Sequence, residues 1–337
     1  MEERITLAHG SGGRASHELI EKMFVATFGS AALLPMEDCA VLQAGGEQLA
    51  FTTDSFVVDP IFFPGGDIGK LAIHGTVNDL AMRGSRPKFL SVGMIIEEGF
   101  PIRDLGKIVQ SLKQGADHAG VEIVAGDTKV VQSGKADKIF INTTGIGLFD
   151  HHRVDISALN GRPGDQVILS GTMADHGATI LCQREGLQIS GGFKSDSAPL
   201  NHMVAEMLRQ HASSIHVLRD PTRGGVGTTL NELALSSGVG IRIREKDLPV
   251  RGDVQGACEL LGLDPLYLAN EGKLLAFVEK SAAATVLELI RKMDYGENGC
   301  IIGEVVGDHP GQVVMETSIG ASRIIDMLHG EPLPRIC

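Results

Sequence analysis

Apolar runs of strand length alternate with helically spaced ones along this chain, break at a turn-rich stretch, and then begin again. That rhythm restricts the fold more than any other feature, because alternating strands and helices build sheets covered by helices. Leu19, Ile20, Met23, Phe24 and Phe28 fall at helical spacing, so 15–28 is predicted as a helix ending near Gly29. Strands at 48–53 and 89–96 flank a helix over 68–83, and a helix over 102–119 precedes strands at 121–125 and 138–148. The pattern fails at His151-His152-Arg153, read as a solvated linker, and at Asn160-Gly161-Arg162-Pro163-Gly164. It resumes with a strand over 165–170, helices over 173–186 and 199–211, and a helix over 226–236 opened by Arg223-Gly224-Gly225. Strands over 240–244, 273–279 and 312–316 and helices over 254–261 and 281–293 complete the second half. The expectation is an α/β or α+β chain in two domains, since 337 residues exceed what one core usually serves.

Charge narrows the partners. Asp and Glu number 42 against 30 Lys and Arg, a net −12, which argues against nucleic acid because phosphate backbones demand a basic face. No apolar run approaches the roughly 18 residues a membrane helix needs. The start, Met1-Glu2-Glu3-Arg4, lacks the basic and apolar regions of a signal peptide, so a cytoplasmic protein is expected. Five scattered cysteines without a C-x-x-C pair argue against a disulfide framework or a zinc knuckle. Cys182 and Cys258 read as small core residues, and Cys39 is assigned no chemistry.

Four short segments of the first half carry a carboxylate where a strand or turn could offer it to a site: Glu37-Asp38, Thr52-Thr53-Asp54-Ser55, Asn78-Asp79 and Gly126-Asp127-Thr128. Taken singly, each is as well explained as a turn or cap. Together they point further, because Asp79 interrupts an apolar helix, where an unpaired carboxylate is costly. Converging carboxylates repel unless a cation lies between them, and hard oxygen ligands suit Mg²⁺, which usually accompanies phosphate. His9-Gly10-Ser11-Gly12-Gly13 precedes the first helix, and successive N–H groups of such a turn can hold an anion.

Other motifs fail their tests. Pro64-Gly65-Gly66-Asp67-Ile68-Gly69-Lys70-Leu71 has Pro where a Walker loop begins with Gly, and Leu where Ser or Thr binds the metal. No G-x-G-x-x-G follows a strand, and Ser11 lacks the strand that a nucleophile elbow requires. The histidines show no zinc-ligand spacing. In the second half, Asp220-Pro221-Thr222-Arg223 sets an acid and a cation before a Gly-rich helix start. Asn270-Glu271-Gly272-Lys273 precedes an apolar strand, placing Glu271 as a general base or as a turn residue. Lys129 neutralises a phosphorylated species or is simply solvated.

The chain closes on Glu331-Pro332-Leu333-Pro334-Arg335-Ile336-Cys337. Two prolines favour an extended tail, which at about 3 Å per residue would carry a nucleophilic thiol roughly 20 Å. The plain alternative is a frayed end.

These segments, with Asn78-Asp79-Leu80-Ala81, Gly126-Asp127-Thr128-Lys129-Val130, Arg219 through Gly225, Asn270 through Leu274 and terminal Pro334-Arg335-Ile336-Cys337, resemble the HypE family. Its members are carbamoyl-dehydratase maturation factors of [NiFe]-hydrogenases, in a superfamily with aminoimidazole ribonucleotide synthetase, selenophosphate synthetase and thiamine-monophosphate kinase. The likeness runs from about residue 7 to the end. It implies an α+β (α/β) fold: an N-terminal ATP-binding and dimerisation domain over 1–152, a C-terminal α+β domain over 153–330, and a mobile tail over 331–337. Two four-stranded sheets are implied to close a β-barrel across a homodimer. The implied partners are a HypF carbamoyltransferase, which loads the terminal thiol, and a HypC–HypD complex, which receives cyanide on iron.

The resemblance also assigns roles. Cys337 is the acceptor, Glu271 the base, and Lys129 the stabiliser of a phosphorylated intermediate. ATP is implied at Gly10, Ser11, Gly12, Gly13, Asp54, Asn78, Asp79, Gly126, Asp127 and Thr128, with Mg²⁺ at Asp38, Asp54, Asp79, Asp127 and Asp220. The chemistry is coherent, since a carboxamide loses its oxygen only after phosphorylation makes that oxygen a leaving group. A base then removes the nitrogen protons. Two rivals stay open: a superfamily kinase or synthetase acting on a free metabolite with an inert tail, and a non-catalytic scaffold that carries a thiol adduct.

Overall fold

The structure is a computed structural model describing residues 4–150, 154–187, 192–328 and 335–337. The opening Met1-Glu2-Glu3, the His151-His152-Arg153 linker and the tail prolines Pro332 and Pro334 lie outside the described residues.

The first half begins with α1 (Arg14–Leu19), a π-helical stretch (Ile20–Val25) and α2 (Ala26–Phe28), which together occupy the predicted first helix. Left-handed Gly29 ends it. There follow β1 (Ala40–Ala44), β2 (Glu47–Phe56), β3 (Phe62–Phe63), β4 (Gly66–Asp67), α3 (Ile68–Met82), β5 (Arg86–Glu97), α4 (Ile102–Ala119), β6 (Glu122–Val131) and β7 (Ile139–Leu148). Five strands form one sheet in the order β1-β2-β7-β5-β6. That is one strand more than the resemblance implies, because β1 folds back on β2 through the left-handed Gly45-Gly46 turn. Among the described residues the sheet is open, with β6 at one edge, parallel to β5.

Helix α3 lies buried against this sheet, apolar on nearly every side, as a helix packed between layers must be. Asp67 caps it, its carboxylate accepting from the Gly69 and Lys70 N–H groups at 2.8 and 3.0 Å.

The second half runs β8 (Gln166–Leu169), α5 (Asp175–Arg184), α6 (Asn201–His211), β9 (Ile215–Arg219), α7 (Gly225–Ser237), β10 (Gly240–Arg244), α8 (Gly252–Leu261), β11 (Leu275–Val278), α9 (Ala283–Lys292), β12 (Cys300–Val306), β13 (Val313–Glu316) and β14 (Ser322–Ile325). Its sheet has the order β14-β13-β10-β12-β8-β11-β9. Mixed pairing and flanking helices in both halves agree with the predicted mixed α/β class. Strands β9, β12 and β14 of this half, like β1 and the short β3–β4 pair of the first, escape the sequence reading. His216 interrupts the apolar run of β9 and is hidden by its 2.8 Å contact with Asp165, while Gly303 marks an irregularity in β12.

The two halves share a core. Ile68, Leu71 and Ile73 of α3 pack in one cluster with Ala178 of α5, Val254 of α8 and Ile336 of the tail. No described helix is long and apolar enough to cross a membrane.

Candidate active site

A cavity of about 820 Å³ opens between the halves, within the range that holds a nucleotide-sized ligand. Strand β2 supplies one wall. Its pleat turns Ala50, Thr52, Asp54 and Phe56 inward and Phe51, Thr53 and Ser55 outward. Asp54 therefore sits within the strand and faces α3, rather than at a strand end as the sequence suggests. Gly75 lets the helix come this close: a Cβ there would lie 2.9 Å from the Phe56 ring and 3.7 Å from Asp54 Oδ2. One helical turn on, Asp79 meets Asp54 through a side-chain hydrogen bond, and its Oδ2 accepts from Thr52 Oγ1 at 2.9 Å. Burial pushes Asp54 up, against the pull of Arg223 and of the bond to Asp79. Asp79 is pushed well above the usual range by burial first, then by Asp54, Asp220 and Asp38.

Ligand atoms of Asp38, Asp79 and Asp220 lie within 4.8 Å of one another. Burial drives Asp38 well up, against the pull of Arg219, whose Nε sits 2.7 Å from Asp38 Oδ1. Burial likewise lifts Asp220 to about 6, and its Oδ2 is buried with no hydrogen-bond partner among the described residues. Three crowded, desolvated carboxylates with one orphaned oxygen suit a small hard divalent cation, whose charge would reverse every one of these shifts.

Glu271 lines the same cavity. Its neighbours are all bound into the scaffold. The Asn270 side chain accepts from Ala174 N–H at 2.8 Å and donates to Pro221 O at 2.9 Å, while Lys273 pairs with Asp196 at 3.2 Å. Gly272 is required, because a Cβ there would come within 2.0 Å of Asp196 O. The Glu271 carboxylate alone projects into the site, with Oε1 buried and unpartnered among the described residues. Burial, then Asp196, Asp220 and Asp54, raise its pKa well above the ordinary range. A carboxylate held this way is a strong base once ionised.

The tail end reaches this cavity too. Cys337 lines it, and its negative charge is the largest influence raising Arg223 above its ordinary value. Arg335 through Cys337 runs beside the segment after β2, with Val57 N–H donating to Cys337 O at 3.0 Å and Asp59 N–H to Arg335 O at 3.2 Å.

Not every residue singled out in the sequence arrives here. Gly12 lines the large cavity and packs on Arg223, where a Cβ would be 2.9 Å from Arg223 Cβ. Gly10 and Ser11 line a smaller neighbouring pocket shared with Cys337, and the Gly13 N–H is taken by Ser11 Oγ at 3.3 Å. The Asn78 amide faces away from the cavity contents. It donates to Ala198 O at 3.1 Å and accepts from Leu200 N–H at 2.8 Å, tying α3 to the loop beside Glu271. Gly126, Asp127, Thr128 and Lys129 lie along β6, exposed and outside this chain's cavity, with Lys129 paired to Asp127 at 2.8 Å. The reason is topological: β6 extends through Gly126–Lys129 as an edge strand, far in sheet order from β2. Conversely, Gly75 and Asp196 support the site without any signal in the sequence, while Thr52 and Arg219, quoted there only as neighbours of Asp54 and Asp220, join the site itself.

Residues 36–149 match the family described as AIR synthase related protein, N-terminal domain, and residues 162–316 match its C-terminal domain. The carbamoyl dehydratase HypE of Azotobacter vinelandii is 50% identical over 333 residues, 99% of this chain and 97% of that protein. The chain belongs to the HypE family of carbamoyl dehydratases. Two solved HypE structures share its fold. HypE in a HypE–HypF complex superposes with a TM-score of 0.87 at 49% identity, covering 92% of this chain and 99% of that one. HypE in complex with ATP gives 0.83 at 49% identity, covering 99% and 100%. Membership makes the chain a dehydratase of hydrogenase maturation.

Proposed function

We propose that this chain dehydrates a carbamoyl group carried on its own terminal sulfur, using ATP, and so produces a thiocyanate at Cys337. The observation that carries this reading is that Cys337 lines one cavity with Glu271, Asp54 and Asp79. A free-metabolite kinase has no use for a thiol seated there.

In the proposed sequence, HypF loads the carbamoyl group, and the γ-phosphoryl group of ATP passes to the carbamoyl oxygen. One nitrogen proton is released to solvent as the S–C(=NH)–O–phosphate forms, and this species then loses phosphate. Glu271 takes the remaining nitrogen proton as the C–O bond breaks and the C≡N bond completes. Asp38, Asp79 and Asp220, with Asp54 adjoining, would hold Mg²⁺, which when bound neutralises phosphoryl charge. Arg223, which lines the same cavity as Asp54 and Cys337, would supply a cation to the site. Transfer of the cyano group to iron breaks the S–C bond and takes two electrons, which the receiving HypC–HypD complex would supply, so that Cys337 returns to a thiolate.

The division at 152/153 into a nucleotide-binding half and a covering half belongs to the same reading. So does a homodimer. Its support is β6, an open edge with exposed Ile123, Val124 and Val130, which a second copy would cover by strand pairing. Asp127 and Lys129 would then act at a site completed by two chains.

Intact mass spectrometry after incubation with HypF, carbamoyl phosphate and ATP tests the proposal. Carbamoylation should add about 43 Da and the thiocyanate about 25 Da, both mapping to Cys337. A 25 Da adduct on any other residue, or none with every component present, refutes it.

A further inference from the structure

His176, near the start of α5, is fully buried and edge-on to Phe63, with ring centroids 5.6 Å apart. Both its nitrogens are engaged. Nε2 lies 2.7 Å from the Ile336 carbonyl oxygen, and Nδ1 lies 2.8 Å from Ser195 Oγ. A carbonyl only accepts, so Nε2 carries the proton, and a neutral ring must then accept at Nδ1 from the Ser195 hydroxyl. Ser195 Oγ is in turn fixed by Ser197 N–H at 3.1 Å, and the Ser195 backbone N–H by Pro64 O at 2.9 Å. The tautomer is thus set by a chain of groups that ends on the backbone. Burial holds the imidazolium down, which favours the neutral ring this pattern needs.

The bond falls one residue before the sulfur-bearing one. Around it, the Arg335 Nε donates to Val57 O at 2.8 Å, its guanidinium meets Asp137, and Arg184 donates to the Arg335 carbonyl. Backbone pairing with Val57 and Asp59 would tolerate any tail sequence and a two-residue slip. The buried Ile336 side chain and the Arg335–Asp137 pair select one register, and in that register the His176 contact pins the carbonyl next to the sulfur-bearing residue.

We infer that His176 is a positioning residue: with its tautomer fixed by Ser195, it latches the Ile336 carbonyl and thereby sets where Cys337 stands in the cavity. This rests on the reading of Cys337 as acceptor, but its test does not need turnover.

The test is the rate at which iodoacetamide alkylates each cysteine of the full-length chain without nucleotide, mapped by mass spectrometry. His176→Leu should raise the rate at Cys337 about tenfold, the factor one lost buried hydrogen bond represents. Cys182 and Cys258 should stay protected. His176→Gln, whose amide N–H can reach the same carbonyl, should stay within about threefold of the wild type. Ser195→Ala leaves the ring but frees its tautomer, and should give a rise of about threefold. Wild-type reactivity in His176→Leu, or an equal rise in His176→Gln, overturns the inference. If His176→Leu also exposes Cys182 and Cys258, Ser195→Ala decides, and an unchanged Cys337 rate there overturns it. A chain that passes this test yet never gains the thiocyanate mass would refute the acceptor reading alone.

Discussion

The Glu271 backbone N–H donates to Asp196 Oδ1 at 3.1 Å, while the Asp196 carboxylate also pairs with Lys273. One carboxylate thus clamps both sides of Gly272, and within the tetrad it is the Glu271 side chain whose Oε1 has no partner among the described residues. Negative charge from Asp196 adds to burial in raising the Glu271 pKa. Glu271→Gln keeps the shape and removes the proposed base. Dehydration should fall by about 10²–10⁴-fold with the carbamoylated species accumulating, and ATP affinity should hold. A variant that reaches the thiocyanate at the wild-type rate removes Glu271 from that role.

Asp79 is shared between Asp54, Thr52 and the candidate cation cluster. Asp79→Asn retains the Thr52 contact and deletes a charge. Calorimetry should show Mg–ATP binding weakened about tenfold or more. Unchanged affinity would exclude Asp79 from the metal set.

Gly75 reverses a familiar rule. Gly→Ala inside a helix ordinarily stabilises, by about 0.5–1 kcal/mol. Here the added methyl would press on Phe56 at 2.9 Å and push α3 off β2. Gly75→Ala should therefore lower stability by about 1–3 kcal/mol and weaken ATP binding with it. A raised melting temperature would contradict the close approach.

His74 of α3 is buried, with Nδ1 at 3.0 Å from Ser197 Oγ, and burial brings its pKa down to about 3. The unfolded chain takes up a proton near pH 6.5 that the folded one refuses until about pH 3. Stability should therefore fall with acidification across that window, by about 1.4 kcal/mol per pH unit for this one group. Denaturant titrations of His74→Gln should show the slope reduced by that amount. Parallel pH profiles would show that His74 already titrates normally.

Much of the fold was legible because periodicity survives burial. Helices α3, α4 and α9 fall within two residues of their predicted ends, since each carries an apolar pattern and a marked terminus. The site was only partly legible. Asp54 reads as a strand end because Thr-Thr-Asp looks polar in sequence, yet the pleat hides Thr52 and Asp54 and exposes Thr53. Asn78 looks like a ligand beside Asp79, but successive helical residues point about 100° apart, and its amide goes to the backbone beside Glu271. Asp196 carries no local pattern, and Arg219 appears only as the first residue of the Asp220 motif, because their roles arise from partners distant in sequence. The placement of Asp127 and Lys129 on an open edge depends on strand order, which no local signal encodes.

Ile336 is only 4% exposed and packs in the core that the two halves share. Moving such a side chain into water costs about 2 kcal/mol, so on that term alone the withdrawn form of the tail is a few per cent of the population. In the delivery proposed above, a protein that collects cargo from the sulfur would therefore meet a scarce species. It must bind the withdrawn form tightly enough to outweigh the vacated core, which makes delivery depend on the recipient's grip rather than on the speed of the chemistry.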